Sequence, residues 1–172
     1  GFIQPTWQAL VDGAKYVEPR LREILGELEP DVVVEDNVVG FAALPAGGRP
    51  WVRIVSCNPA ELKDPEVPPT FSGYAAGDRD GWDEFRAEYE RVHRPLWEEF
   101  DSFMREQGAP ALPELEFIHE SPWANLYLYP EEADYPRARP LEEGWTRLDS
   151  CVRGTDEAWD EPPGFRAGST SS

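Results

Sequence analysis

The feature of this sequence that most constrains its fold is a short β-branched run, DVVVED, at Asp31–Asp36. Its valines are consecutive instead of alternating with polar residues, which is typical of a strand covered on both faces inside a parallel sheet. A second run of this kind, WVRIVS, occupies Trp51–Ser56. Between the two runs, Val38–Leu44 predicts one or two helical turns that end before Pro45. The sequence therefore predicts a βαβ unit whose first strand is buried.

An amphipathic helix is predicted ahead of this unit. Apolar residues recur every three or four positions from Trp7 to Leu28, and Pro5 stands in the first turn, where proline is tolerated. Pro19 lies inside the pattern and cannot donate a backbone hydrogen bond. We therefore expect a kink or a break near Lys15–Glu18.

A long loop and a second helix follow the unit. Pro59–Gly81 is rich in proline and glycine, and a loop of this length inside a compact domain is usually functional. Aromatic and apolar residues then recur at helical spacing from Trp82 to Met104, and Gly108 ends the pattern. Pro95 is expected to bend this second helix.

Two further strands complete the predicted sheet, at Ala124–Tyr129 and Trp145–Val152. Strands that alternate with helices predict the α/β class, here a three-layer sandwich with a mainly parallel sheet. We assign residues 1–155 to one domain and residues 156–172, which end in GSTSS, to a linker or flexible tail.

The charge of the chain excludes some classes of partner. Its formal net charge of −18 comes from 34 acidic and 16 basic residues, so a nucleic acid or an anionic membrane surface would be repelled. No apolar run approaches the length of a membrane span, and we expect a cytoplasmic protein. The two cysteines, Cys57 and Cys151, are expected to be free thiols, and the absence of a Cys/His cluster predicts no metal site.

Ligands of parallel α/β sheets bind beyond the carboxyl ends of the strands. The residues that follow the predicted strands are Asp36-Asn37, Ser56-Cys57-Asn58 and Pro130-Glu131. In the long loop and at its border, Phe71, Tyr74 and Trp82 either anchor the loop on the core or line an apolar pocket for a small molecule.

Several of these residues allow more than one interpretation. Asp36 either caps the helical turn that follows it or presents a carboxylate that orients a histidine or holds a ribose hydroxyl. His93 is expected to be solvated on the polar side of the second helix, and His119 to be a loop or cap residue. Cys57 has no histidine partner in a recognisable motif, so a structural thiol is preferred to a nucleophile. No glycine-rich phosphate-binding motif is present.

Three segments carry a resemblance to a known family: EPDVVVED at Glu29–Asp36, GRPWVRIVS at Gly48–Ser56 and NLYLYP at Asn125–Pro130. In this order they resemble the bacterial natural-product and macrolide branch of the UDP-glycosyltransferase family. The segment PPGF at Pro162–Phe165 is similar to the segment that precedes the donor-binding domain of that family. The resemblance covers nearly the whole chain.

The resemblance implies an inverting enzyme of the GT-B type, with two Rossmann-like domains and no metal. This chain would be the acceptor-binding domain, incomplete at its N-terminus, and a separate donor-binding domain would hold a UDP- or TDP-hexose. No cofactor is expected in this chain itself. A histidine ahead of Gly1 would be the general base, and Asp36 would orient it. We expect contacts to a hydrophobic acceptor from Asn37, Ser56, Asn58, Phe71 and Trp82.

Two expectations follow from the parts that this resemblance places outside the chain. The chain alone should transfer no sugar, because the histidine and the donor-binding domain are missing from it. A sheet without its first strands should be stabilised by the missing part or by self-association. The alternative function is a non-catalytic α/β module that binds a hydrophobic small molecule or a protein partner.

Overall fold

A computed structural model describes residues 3–148 of the chain. Two long helices, α1 at Ile3–Leu28 and α3 at Trp82–Glu106, accompany a short helix, α2 at Ala43–Gly47. The strands are β1 at Val33–Asp36, β2 at Trp51–Val55, β3 at Ala124–Tyr127 and β4 at Trp145–Arg147. Single 3₁₀ turns follow β2 at Pro59–Glu61 and β3 at Glu131–Ala133.

The four strands form one parallel sheet in the order β1-β2-β3-β4. The predicted α/β class with a parallel sheet is confirmed, in an arrangement consistent with a Rossmann-like three-layer sandwich. The strands are shorter than the predicted ones, and the end of the predicted fourth strand lies outside the described residues. So do Cys151 and the linker at 156–172.

The prediction that the first strand is covered on both faces is wrong for the described residues. Within residues 3–148, β1 pairs only with β2 and is therefore an edge strand. Val32 and Val34 are 50% and 58% exposed, whereas Glu35 is 6% exposed. Successive side chains of a strand point to opposite faces, so the pleat turns Glu35 toward the covered face and Val34 away from it.

The covered face of the sheet is built by alternate residues of the central strands. Trp51, Arg53 and Val55 of β2 are buried, and so are Asn125 and Tyr127 of β3, while the residues that alternate with them are only half-buried. Asn125 fixes the entry to β3: its amide accepts a hydrogen bond from the Ser121 backbone N–H at 2.8 Å and donates to the Ser121 carbonyl at 2.8 Å.

The main apolar core lies between α1, α3 and the connecting segments. Trp7, Val11 and Ala14 of α1 face Leu96, Phe100 and Met104 of α3, as the helical spacing of the apolar residues predicts. The segment after β1 and the segment before β3 close this core. They contribute Val39, Ala42, Ala109, Leu112 and Phe117.

Neither internal proline ends its helix. Both α1 and α3 continue through Pro19 and Pro95, so the predicted break in the first helix is absent. Each proline removes one backbone hydrogen bond, and the packing of the helices on both sides compensates for that loss. The short helix α2 also differs from its prediction, because Pro45 lies in its first turn, where its missing N–H is not needed.

Candidate functional site

A cavity of about 270 Å³, called the strand-end cavity below, lies at the carboxyl ends of β1 and β2. The side chains of Asp36, Asn37, Ser56 and Cys57 line it, together with Glu61 from the following 3₁₀ turn. The Ser56 hydroxyl donates a hydrogen bond of 2.7 Å to the Asp36 carboxylate across the two strands. Parallel pairing thus brings together the two polar positions at which these strands end.

The two asparagines near this edge are engaged with their own backbone. Asn37 accepts a hydrogen bond of 2.9 Å from the Val38 N–H, and Asn58 accepts one of 2.9 Å from the Ala60 N–H. Asn58 therefore caps the 3₁₀ turn at Pro59–Glu61, a role that suits its amide oxygen.

A larger cavity of about 460 Å³ opens beside the sheet, under the loop that follows β2. Five aromatic residues from α1, the loop, α3 and the segment before β3 lie in its walls beside prolines and charged side chains, and it is called the aromatic cavity below. These residues are Trp7, Phe71, Phe85, Tyr89 and Phe117. The Trp7 ring stacks on Phe117 at 4.6 Å between centroids and meets Phe71 edge to face at 5.9 Å.

Phe71 reaches this cavity in a backbone conformation that is unusual for an aromatic residue. Its φ of 64° lies in the left-handed region, which costs free energy for any residue with a side chain. Trp82 is not among the residues that line the cavity. It is buried at the start of α3, between the guanidinium groups of Arg79 and Arg86 at 5.1 and 5.4 Å from its ring centre.

Arg53 and Glu61 form a polar end of the aromatic cavity, and the buried Glu35 lies beside Arg53 on β1; the three charged residues are called the open cluster below. Glu35 and Arg53 are register partners on β1 and β2, and both are buried. The nearest contact between Arg53 and Glu61 joins Nη2 to Oε2 at 4.0 Å, which is too long for a hydrogen bond. Arg53 also lies over the Trp145 ring, at 5.5 Å from its centre.

The open cluster has polar atoms without partners among residues 3–148. They are Glu35 Oε1, Arg53 Nε and Glu61 Oε1, each of which is buried. Such atoms are rare in folded proteins because an unpaired buried donor or acceptor costs about 1 to 3 kcal/mol. Arg53 and Glu61 face the aromatic cavity and an adjoining cavity of about 250 Å³, and Glu61 also borders the strand-end cavity.

Both carboxyl groups of the open cluster titrate near neutrality. Burial raises the pKa of Glu35 to about 7, against the opposing effects of the Arg53 charge and the Phe41 backbone N–H. Burial also raises the pKa of Glu61 to about 7, where Arg53 lowers it while Glu116 and Asp36 raise it further. Of the two, Glu61 lies in the wall of the cavity, where a shifted pKa is typical of a binding or catalytic site.

The other candidate residues from the sequence are the thiol of Cys57 and the two histidines, His93 and His119. Cys57 is exposed, and partial burial together with the Glu61 and Asp36 charges raises the pKa of its thiol. The thiol is therefore protonated at neutral pH, which disfavours a nucleophilic role. His93 is buried with Nδ1 at 2.8 Å from the Tyr89 carbonyl, and His119 Nε2 lies 3.0 Å from the Pro110 carbonyl.

His93 therefore differs from its predicted position: it is 3% exposed and stacks on Tyr89. Neither histidine has a contact with Asp36 among the described residues. The predicted carboxylate–histidine pair is thus not formed by the two histidines of this chain.

Sequence reasoning missed the open cluster, although a signal for it was present. Arg53 interrupts the apolar run WVRIV at a position that shares a face with Trp51 and Val55. A charge on the inner face of a strand is costly unless it is paired or used. Glu61 gave no such signal, because only the path of the loop brings it to the sheet.

The comparisons with known proteins add no relative. No model of a protein family matches this sequence, and no curated protein matches it either. Among the described residues, no helix is long and apolar enough to cross a membrane.

Proposed function

We propose that this chain is the acceptor-binding part of an inverting, nucleotide-sugar-dependent glycosyltransferase that moves a hexose to a hydroxyl group of an apolar natural product. The observation that carries the proposal is the aromatic cavity. Its volume of about 460 Å³ is within the range of small-molecule sites, and its walls combine five aromatic side chains with charged groups that include Arg53 and Glu61.

The position of Asp36 supports the same proposal. Its carboxylate lies at the carboxyl end of β1 in the strand-end cavity, and Glu61 borders both that cavity and the aromatic one. An acceptor held in the aromatic cavity would thus lie beside the edge of the sheet where parallel α/β proteins perform their chemistry. The type of reaction and the role of Asp36 are those that the resemblance to the UDP-glycosyltransferase family implies.

In this proposal Asp36 is a positioning residue. Its carboxylate would accept a hydrogen bond from a histidine supplied outside this chain, fix the tautomer of the imidazole and stabilise the imidazolium that forms when the acceptor hydroxyl loses its proton. A UDP- or TDP-hexose would be bound by a separate donor-binding domain. The proposed chemistry uses no metal.

The test uses the complete reading frame that encodes this chain, assayed for hexose transfer to apolar hydroxylated acceptors. Asp36→Asn should lower kcat by about 10²-fold or more while the acceptor KM stays within about twofold, because the amide cannot stabilise an imidazolium. Ser56→Ala is the matched control: it removes the Asp36 partner and keeps the carboxylate. Unchanged turnover in Asp36→Asn would refute the assigned role.

The alternative function is a non-catalytic module that binds a hydrophobic small molecule. The aromatic cavity would serve this function without a general base. If the complete reading frame binds apolar acceptors but transfers no sugar from any nucleotide-hexose, the binding module is the correct interpretation.

A further inference from the structure

The polar end of the aromatic cavity limits the kind of ligand group that can be bound there. Arg53 is a donor and Glu61 is an acceptor, and their side chains are 6% and 9% exposed. Arg53 Nε and Glu61 Oε1 are buried without a partner among residues 3–148, and Arg53 Nη2 and Glu61 Oε2 are the atoms of the two groups that lie nearest to each other. A ligand group at this position must therefore accept from one side chain and donate to the other.

The spacing of the two side chains fits one bridging oxygen atom. Arg53 Nη2 and Glu61 Oε2 are 4.0 Å apart, so they do not bond to each other directly. An oxygen about 2.8 Å from each would bond to both at ordinary hydrogen-bond lengths. A hydroxyl group has the required character, because it carries both a donor and two acceptor positions.

The local charges disfavour ionic ligands of either sign. One guanidinium faces two carboxyl groups, Glu35 and Glu61, so an anionic ligand would meet a site without net positive charge. An ammonium ligand would meet the buried Arg53 charge, and the raised pKa of about 7 leaves the Glu61 carboxyl only partly ionised at neutral pH. Two carboxylates of the cavity wall are paired: Glu116 with Lys63 of the same wall, and Glu90 with Arg94.

We propose that Arg53 and Glu61 together bind a neutral hydroxyl group of the molecule held in the aromatic cavity, with Arg53 donating to its oxygen and Glu61 accepting from its O–H. This inference rests on the proposed function and defines the group that the cavity selects. The hydroxyl is an anchor beside the strand-end cavity, and the ligand class is a neutral aromatic or alicyclic molecule that carries it.

Four naphthalene derivatives of nearly equal size separate the contributions. In calorimetric titrations of the 172-residue chain, 2-naphthol offers a donor and an acceptor, and 2-methoxynaphthalene offers an acceptor alone. 2-Methylnaphthalene offers neither, and 2-naphthoate offers an anion. We expect 2-naphthol to bind at least about tenfold more tightly than 2-methylnaphthalene, with 2-methoxynaphthalene between them and 2-naphthoate weakest.

Two variants assign the effect to the proposed side chains. In Glu61→Met, the affinities for 2-naphthol and 2-methoxynaphthalene should agree within about twofold, because the acceptor for the O–H is gone. In Arg53→Met, the affinities for 2-methoxynaphthalene and 2-methylnaphthalene should agree within about twofold, because the donor to the ligand oxygen is gone. Glu90→Met is the control: it removes a carboxylate from the same wall, where Glu90 is paired with Arg94, and should keep the wild-type order.

The outcomes distinguish this inference from the proposed function. Equal binding of 2-naphthol and 2-methylnaphthalene by the wild-type chain would overturn the hydroxyl anchor and leave a ligand-binding cavity. If 2-naphthoate binds most tightly, the site binds an anion and the hydroxyl anchor is refuted. Binding of none of the four would overturn both the anchor and the proposed function. The wild-type series requires no variant to fold.

Discussion

Two clusters of arginine and carboxylate residues lie on the same face of the sheet and differ in how completely their polar atoms are paired. The open cluster is Glu35, Arg53 and Glu61. The second, called the closed cluster, consists of Tyr127, Asp134, Arg137 and Arg147 and covers the ends of β3 and β4. Both are largely buried, so their burial alone does not distinguish them.

In the closed cluster, both carboxylate oxygens of Asp134 are satisfied. Oδ1 accepts from the Tyr127 hydroxyl at 2.7 Å, and Oδ2 accepts from Arg137 and Arg147 at 2.9 and 2.8 Å. Burial by itself would raise the pKa of Asp134, but these hydrogen bonds hold it below its ordinary value. Arg137 also donates to the carbonyls of Pro59 and Leu62 and so ties the loop to the sheet.

The difference separates a cluster that stabilises the fold from a cluster that can bind a ligand. A buried charge whose hydrogen bonds are complete holds the fold in one arrangement, whereas one with free polar atoms at a cavity wall is available to a ligand. The 3₁₀ turn at Pro59–Glu61 joins the two clusters, since the Pro59 carbonyl belongs to one and the Glu61 carboxylate to the other.

The largest expected effect of a substitution on stability is in the closed cluster. Asp134→Asn keeps the shape of the side chain but leaves two arginines without their carboxylate. We expect a loss of about 3 kcal/mol in the free energy of unfolding at neutral pH, measured by urea denaturation. The loss should shrink as the pH falls below the usual Asp pKa of 3.8 and through the lowered pKa of folded Asp134, because the wild-type carboxylate is then protonated as well.

In the open cluster, replacing a carboxylate is expected to raise the free energy of unfolding at high pH instead of lowering it. The pKa of Glu35 is about 7 in the folded protein, above the ordinary value of 4.5, so the folded state binds this proton more tightly than the unfolded chain does. The resulting stability is fully present below 4.5 and is lost as the pH rises toward 7. Glu35→Gln imitates the protonated group and should make the protein more stable than wild type by about 2 kcal/mol near pH 8.

Urea denaturation near pH 5 and pH 8 checks this prediction, with Glu90→Gln as a matched loss of one exposed carboxylate. A variant less stable than wild type at the higher pH would show that Glu35 is needed to neutralise Arg53. The open cluster would then be a structural ion pair, and the contrast between the two clusters would disappear.

The smallest effect is expected at the turn that joins the clusters. Asn58→Ala removes the cap of the 3₁₀ turn and should lower the free energy of unfolding by about 1 kcal/mol. The affinity for 2-naphthol should fall only slightly, because Asn58 contacts its own backbone and the ligand anchor is Glu61. A large loss of affinity with unchanged stability would instead make Asn58 a ligand contact, as the resemblance implies.

The local parts of the fold could be predicted from the sequence because they depend on spacing alone. The three-to-four residue recurrence gave α1 and α3, and the β-branched runs gave β1 and β2 in nearly their correct positions. The position of Asp36 and Ser56 at one edge also followed, since parallel strands end on the same side. The extent of burial of β1 could not be predicted, because it depends on which segments cover each face.

For this protein the sequence by itself determined the α/β class, the parallel direction of the strands and the polar residues at their ends. Only the tertiary structure decided that Glu35 and Arg53 point to the covered face and that Glu61 joins them at the end of the aromatic cavity. The physical reason is range: periodicity acts over a few residues, whereas the pairing of buried charges depends on loop paths between distant parts of the chain.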